Sequence, residues 1–188
     1  MNAQAGPPDG PIAIAVTGVM ASGKSTVAAL LAERMPRSVH VRGDLFRRMI
    51  VNGRAPVEPG LAGTARAQLR LRHRLAAQAV DTYAQAGFGV VVQDVILGEM
   101  LPWFVGLVRT RPLAVVVLAP SVRAVERREA GRDKRGYVGG WTAQGLDREL
   151  REATPRLGLW LDTSDQTPAQ TADAIWQRLG EAWVAGRP

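Results

Sequence analysis

The sequence contains no cysteine, which excludes a disulfide framework and any thiolate metal site. It has only two histidines, His40 and His73, and their separation matches no metal-ligand spacing. Aromatic residues make up 5% of the chain, and none alternates with the basic runs as a base-stacking platform requires. Every apolar run is short and broken by charge or glycine, so none has the length of a membrane span. The opening "MNAQAGPPDGP" lacks the basic start and apolar stretch of a signal peptide; residues 1–10 read as a flexible leader. A cytoplasmic protein is the expectation.

A globular domain with one sizeable core, over 11–188, follows from 188 residues that are 46% hydrophobic and 22% charged. The net charge of +7 suits phosphate-rich or anionic partners: nucleoside triphosphates, small anionic substrates and nucleic acid. Besides this charge, only "RGDLFRRMI" favours nucleic acid, which is compatible with the sequence without being indicated by it.

Short apolar runs alternate with helical patterns, which argues for a parallel sheet covered on both faces. Strands are expected at 12–17, 39–42, 89–94, 113–119 and 157–162. Helices are expected at 24–35, 44–52, 63–87, 98–109, 121–130, 146–153 and 168–183. Thr167, Pro168 and Gln170 form a capping box at the start of the last helix. Leu71, Leu75, Ala76, Ala79, Val80 and Tyr83 make one apolar face of the long helix. "GRAPVEPGLAG" at 53–63 is too rich in proline and glycine for a regular element and reads as a mobile loop.

"GVMASGKST", Gly18 to Thr26, follows the first strand and opens a helix, and it fits G-x-x-x-x-G-K-[ST]. Glycines let the backbone curl until successive N–H groups point at phosphate oxygens, and the helix adds the positive end of its dipole. Gly18, Ala21, Ser22, Gly23, Lys24, Ser25 and Thr26 are therefore the expected nucleotide contacts. Lys24 reaches the outer phosphates, and the Ser25 hydroxyl ligates magnesium. ATP and Mg2+ are the expected cofactors.

Motors, switches and kinases share this loop, so other residues must discriminate. Asp44 follows the second strand, where ligands bind in open α/β sheets, and can accept the proton of an attacking hydroxyl or cap its helix. Asp94 ends the third strand and can hold a magnesium-bound water or orient the acceptor. Glu99 is a weaker candidate for an acceptor contact. After the fourth strand, Ser121 can cap a helix carrying Arg123 and Arg127, and Arg128, Arg132, Lys134 and Arg135 crowd behind it. Guanidiniums at that density repel unless an anion sits among them, which suggests an arginine lid over about 121–145 that closes on the transferring phosphoryl group.

"GVMASGKST", "VRGDLFRRMI" and "VERREAGRDKRG" together resemble the small P-loop kinases grouped with chloramphenicol phosphotransferase and the kinase domain of phage polynucleotide kinase. The resemblance covers most of 12–165. It implies a single-domain α/β fold with a five-stranded parallel sheet in order 2-3-1-4-5 and helices on both faces. It also implies Asp44 as the base and lid roles for some of Arg127, Arg128, Arg132 and Arg135. The loop "DTSDQTP", with Thr163, is implied to border the adenine.

An acceptor pocket is expected between the Asp44 helix, the 53–63 loop and the start of the long helix. Arg47, Arg48, Arg66, Arg70 and Arg74 could reach an anionic acceptor there, although at i, i+4, i+8 the last three more commonly form a solvated stripe; Trp103, Tyr137 or Trp141 could stack on a flat acceptor or simply fill the core. The leading expectation is an ATP- and magnesium-dependent kinase acting on a hydroxyl of a small molecule, an antibiotic or related metabolite. The alternatives are a 5′-hydroxyl polynucleotide kinase and a nucleotide-binding regulatory ATPase.

Overall fold

A computed structural model describes residues 10–60, 62–131, 136, 137 and 139–185. Residues 1–9 of the expected leader, Leu61 of the proline-rich loop, and the lid residues Arg132, Lys134 and Arg135 lie outside the described residues.

β1 (Ala13–Gly18) lies at the centre of the sheet, parallel to β3 (Gly89–Gln93) on one side and β4 (Leu113–Leu118) on the other. β2 (Ser38–Arg42) extends the β3 edge and β5 (Leu159–Leu161) the β4 edge, giving the order β2-β3-β1-β4-β5. This is the expected parallel sheet. The sequence reading missed a sixth strand, β6 (Trp183–Val184), which pairs antiparallel with Leu113 and Ala114 of β4. Its presence has a simple cause: β5 covers β4 only at Val116–Leu118, and the rest of that edge takes the chain's last strand.

Odd and even residues of the central strands feed two cores. Ala13 and Ala15 of β1 and Leu113, Val115 and Val117 of β4 face one; Ile14, Val16, Ala114, Val116 and Leu118 face the other. The first core is covered by α3 (Gly63–Gln85), α4 (Met100–Leu107), α5 (Val122–Ala130) and α6 (Ala143–Arg148). The second lies under α1 (Lys24–Glu33), α7 (Pro168–Gln177) and α8 (Leu179–Ala182). The capping box forms as expected, with Thr167 Oγ1 accepting from Gln170 N and Gln170 Oε1 from Thr167 N.

The helix expected over 168–183 is divided into α7 and α8 and gives way to β6. α6 starts earlier than expected because Thr142 Oγ1 caps it, and it continues as a π-helical turn, Glu149–Ala153. The buried face of α3 is also rotated from the expected one. Leu71 and Tyr83 are exposed, whereas His73, Ala76, Ala77, Val80 and Ala84 face the sheet. Small alanines let α3 approach closely, and the larger side chains are left outside.

Candidate active site

β1 delivers the chain to the phosphate loop at Gly18, whose φ is 145°. A Cβ at Gly18 would stand 2.4 Å from Leu118 O and 2.9 Å from Ser22 Oγ, so the turn against β4 requires glycine. Ala21 and Gly23 also take positive φ, 59° and 97°, and the loop runs directly into α1. Lys24 is buried, and its Nζ donates to Val19 O at 2.6 Å and to Ser22 Oγ at 3.5 Å. Ser25 and Thr26 stand exposed on the first turn of α1. An ammonium, two hydroxyls and a helix N-terminus thus meet at the carboxyl edge of the sheet, where anions are favoured.

β2 delivers Asp44 to the same edge. It is the second residue of α2 (Gly43–Arg48). Its Oδ2 accepts from Arg48 Nη2 at 2.6 Å, and Arg42 Nε lies 3.7 Å from Oδ1. Asp94, which follows β3, is 3% exposed and lies beneath this turn. Arg72 of α3 grips it with two donors: Nε reaches Oδ2 at 2.6 Å, and Nη2 closes on Oδ1. Val95 N donates to Asp94 Oδ1 at 2.7 Å. A Cβ on Gly43 would fall 2.1 Å from Asp94 Oδ2. The Asp94 carboxylate therefore packs against the backbone that presents Asp44.

Arg72 was not among the expected site residues. Arg66, Arg70 and Arg74 form the regular stripe of this helix, and Arg72 projects from a different side of it. The available signal was its position before His73, which begins the buried face: a cation there calls for a buried carboxylate. Burial lowers the Arg72 pKa to about 10, against the opposing pull of Asp44, and Arg47 adds to the lowering. His73 is fully buried, 3.7 Å from Asp94 Oδ2, between the rings of Trp103 and Phe104 at 6.3 and 6.0 Å. Among the described residues neither ring nitrogen makes a well-formed hydrogen bond, and the Val95 backbone beside the ring favours its charged form. Burial, and then Arg72, push the His73 pKa down to about 3.

Ser121 Oγ caps α5 by accepting from Ala124 N. Arg128 then donates to Ser22 O at 3.4 Å, Thr163 O at 2.5 Å and Gln166 O at 3.4 Å, and Arg127 donates to Ser164 O at 3.3 Å. These two arginines tie the phosphate loop to the segment after β5. Burial lowers the Arg128 pKa, and Arg127 lowers it further. Thr163 lies in that segment, with its Oγ1 buried and unpartnered among the described residues. Tyr137 OH donates to Met20 O at 2.8 Å, which places its ring against the phosphate loop.

The loop after α2 is held from three directions. Arg47 Nη2 donates to Ala55 O at 2.7 Å, and Trp141 Nε1 to Val57 O at 3.0 Å. Gln68 accepts from Ala55 N at 2.9 Å and donates to Gly53 O at 2.7 Å. Of the expected stripe, Arg66 pairs with Glu99 at the surface, Arg70 lies over Trp103 at 5.5 Å, and Arg74 is exposed. Among the described residues there is no cluster of carboxylates and histidines suited to a metal ion, and no helix is long and apolar enough to cross a membrane.

The model of the chloramphenicol phosphotransferase-like protein family matches residues 12–180. Among curated proteins nothing matches the sequence. An unliganded sugar kinase from Janibacter sp. HTCC2649 has a similar structure, with TM-score 0.67 and 20% identity over 92% of this chain and 96% of that one. The tunicamycin resistance protein of Deinococcus radiodurans gives 0.63 and 21%, covering 95% and 99%. The Mycobacterium tuberculosis APS kinase, in complex with AMPPNP and APS, gives 0.64 and 20%, covering 92% and 99%. At these identities the structures speak for the fold, and the family match carries the activity. The chain belongs to the chloramphenicol phosphotransferase-like family and is a nucleotide-binding phosphotransferase of the kinase type.

Proposed function

We propose that the enzyme transfers the γ-phosphate of ATP to a hydroxyl of a small molecule, an antibiotic or related metabolite, with Asp44 as general base. The observation that carries this reading is the placement of Asp44. It follows β2 at the carboxyl edge of the sheet, the edge at which β1 gives way to the phosphate loop, and Asp94 packs against the Gly43 backbone next to it. The acceptor oxygen attacks the γ-phosphorus, the bond to the β–γ bridging oxygen breaks, and ADP leaves with that electron pair. The hydroxyl proton passes to a carboxylate oxygen of Asp44.

Lys24 and the loop N–H groups hold the phosphates, and Arg128 fixes the loop to the segment carrying Thr163, which borders the adenine. Arg127 supports that segment, Tyr137 supports the loop at Met20, and Arg132 and Arg135 are assigned to charge on the moving phosphoryl group. The exposed Ser25 hydroxyl beside the loop fits a hard cation. Ser25 would hold magnesium there, and the ion, when bound, would supply positive charge against that of the phosphates. Asp94 acts from beneath and orients the acceptor side through Arg72; Arg48 steadies Asp44, and Glu99 with Arg66 lies at the rim. The reading places the enzyme in the cytoplasm, where ATP is supplied.

The test is a screen of transfer from ATP to antibiotics, sugars, nucleosides and oligonucleotides, repeated with Asp44→Asn. Asparagine can still accept from Arg48, so Tm should hold while transfer falls about a hundred- to ten-thousandfold. Near-parental transfer by this variant would remove Asp44 from the mechanism. Transfer to oligonucleotides alone, weakening steeply with salt, would replace the small molecule with nucleic acid.

A further inference from the structure

Beneath the loop after α2 lies a cavity of about 30 Å³. Two guanidiniums line it, Arg47 and Arg72, together with Gln68, Ala55, Val57 and Leu69. No carboxylate lines it among the described residues. A space of that size holds about two waters or the two oxygens of one acidic group, but no whole metabolite.

The surrounding charge is unbalanced. Asp94 is committed to Arg72, and Asp44 to Arg48 with Arg42 nearby. Within this cluster the four guanidiniums of Arg42, Arg47, Arg48 and Arg72 meet the two carboxylates of Asp44 and Asp94, an excess of two positive charges. Arg47 and Arg72 also oppose each other, which adds to the lowered Arg72 pKa. An oxyanion between them would relieve both desolvation and repulsion.

Two further features suit a headgroup site. Its walls are pinned, because Arg47 and Gln68 hold Ala55 and Trp141 holds Val57. Its distance from the base is also set: Arg47 lies three residues after Asp44 on α2, so the two side chains are neighbours about 5–6 Å apart at Cβ. Resting on the kinase reading, we propose that this cavity takes the oxyanion of the acceptor, which is therefore a small hydroxyl compound bearing a carboxylate or phosphate about one helical turn from the hydroxyl that reacts.

The experiment uses the whole protein with its phosphate loop saturated by AMPPNP, so that added anions cannot occupy that loop. Malate, gluconate and glucose 6-phosphate are titrated against malamide and glucose, and binding is followed by calorimetry. At least one acid should bind about tenfold or more tighter than its neutral counterpart, with carboxylate and phosphate arms separating the two sources of the oxyanion. Arg47→Gln keeps a donor for Ala55 O and should erase that preference. Arg72→Lys should weaken it without abolishing it, since a point charge replaces a fork. Equal binding of acids and neutral counterparts, or a preference that survives Arg47→Gln, overturns the proposal. Failure of AMPPNP itself to bind would instead count against the kinase reading.

Discussion

The phosphate loop and the acceptor side are built by opposite means. The loop is one continuous run from Gly18 to Thr26, and its working groups are backbone N–H bonds, one ammonium and the hydroxyls of a helix start. The proposed acceptor side is assembled from β2, α2, the loop at 53–57, α3 and the end of β3, and it is held together by long charged side chains. One is fixed by local conformation. The other depends on distant segments arriving together: Arg72 of α3 holds Asp94, and Asp94 packs against the Gly43 backbone next to Asp44. Substitutions in the loop should therefore disturb chemistry and spare the fold, whereas substitutions beneath the acceptor side should disturb both.

The largest effect that separates the two regions is expected from Lys24→Ala. The side chain lies over the loop and donates to Val19 O and Ser22 Oγ within it. If the proposed role of Lys24 on the phosphates holds, losing this ammonium should lower turnover roughly a hundred- to thousandfold with Tm little changed. Parallel turnover and melting measurements check this. Turnover near that of the parent would mean that the loop holds phosphate by its backbone alone.

Gly43→Ala attacks the other region and leaves the loop untouched. The added methyl would sit 2.1 Å from Asp94 Oδ2 and 2.7 Å from Cγ. Asp94 has little room to yield, held as it is by Arg72 and Val95 N. The expected cost is about 3 kcal/mol, through overpacking and disturbance of a buried ion pair. Tm should drop while AMPPNP affinity stays near parental. An unchanged Tm would show that the Asp94–Arg72 floor gives way freely, and the contrast between the regions would lose its basis.

The same contrast decides what the sequence discloses. The phosphate loop is readable because its motif is its structure: glycine, lysine and serine act at fixed offsets from one strand end. Asp44 is readable for a similar reason, since the end of a parallel strand points to the cleft. Arg72 and Asp94 are 22 residues apart, and only the packing of α3 on β3 brings them together. The arginines that catch the eye, Arg66, Arg70 and Arg74, form a regular stripe because they face outward. β6 was hidden by another non-local cause, the shortness of β5, which leaves a bare edge that Trp183 and Val184 fill.

A smaller effect, set by pH, should appear on the acceptor side alone. His73 is buried beside Arg72 and Asp94, and its folded pKa is about 3 against an ordinary value of 6.5. A lowered histidine pKa means that the unfolded chain binds the proton more readily. The stabilising contribution is therefore complete above about pH 6.5 and is lost progressively as pH falls towards about 3. Between pH 7 and pH 5 this amounts to about 2 kcal/mol. Burial shifts His40 in the same direction, so the two act together. His73→Met removes the titration and fills a similar volume. The His73 ring nitrogens have no well-formed hydrogen bond to lose, so stability at pH 7 should stay near parental. Urea midpoints of parent and variant at the two pH values give the comparison, and the variant should show the shallower fall, since His40 still acts in that direction and Glu149, raised by burial, acts against it in both proteins. An identical fall in both proteins would place the acid sensitivity elsewhere. A fall that also weakens AMPPNP binding in step would mean that the phosphate loop and the acceptor side share one stability, and the division between them would not hold.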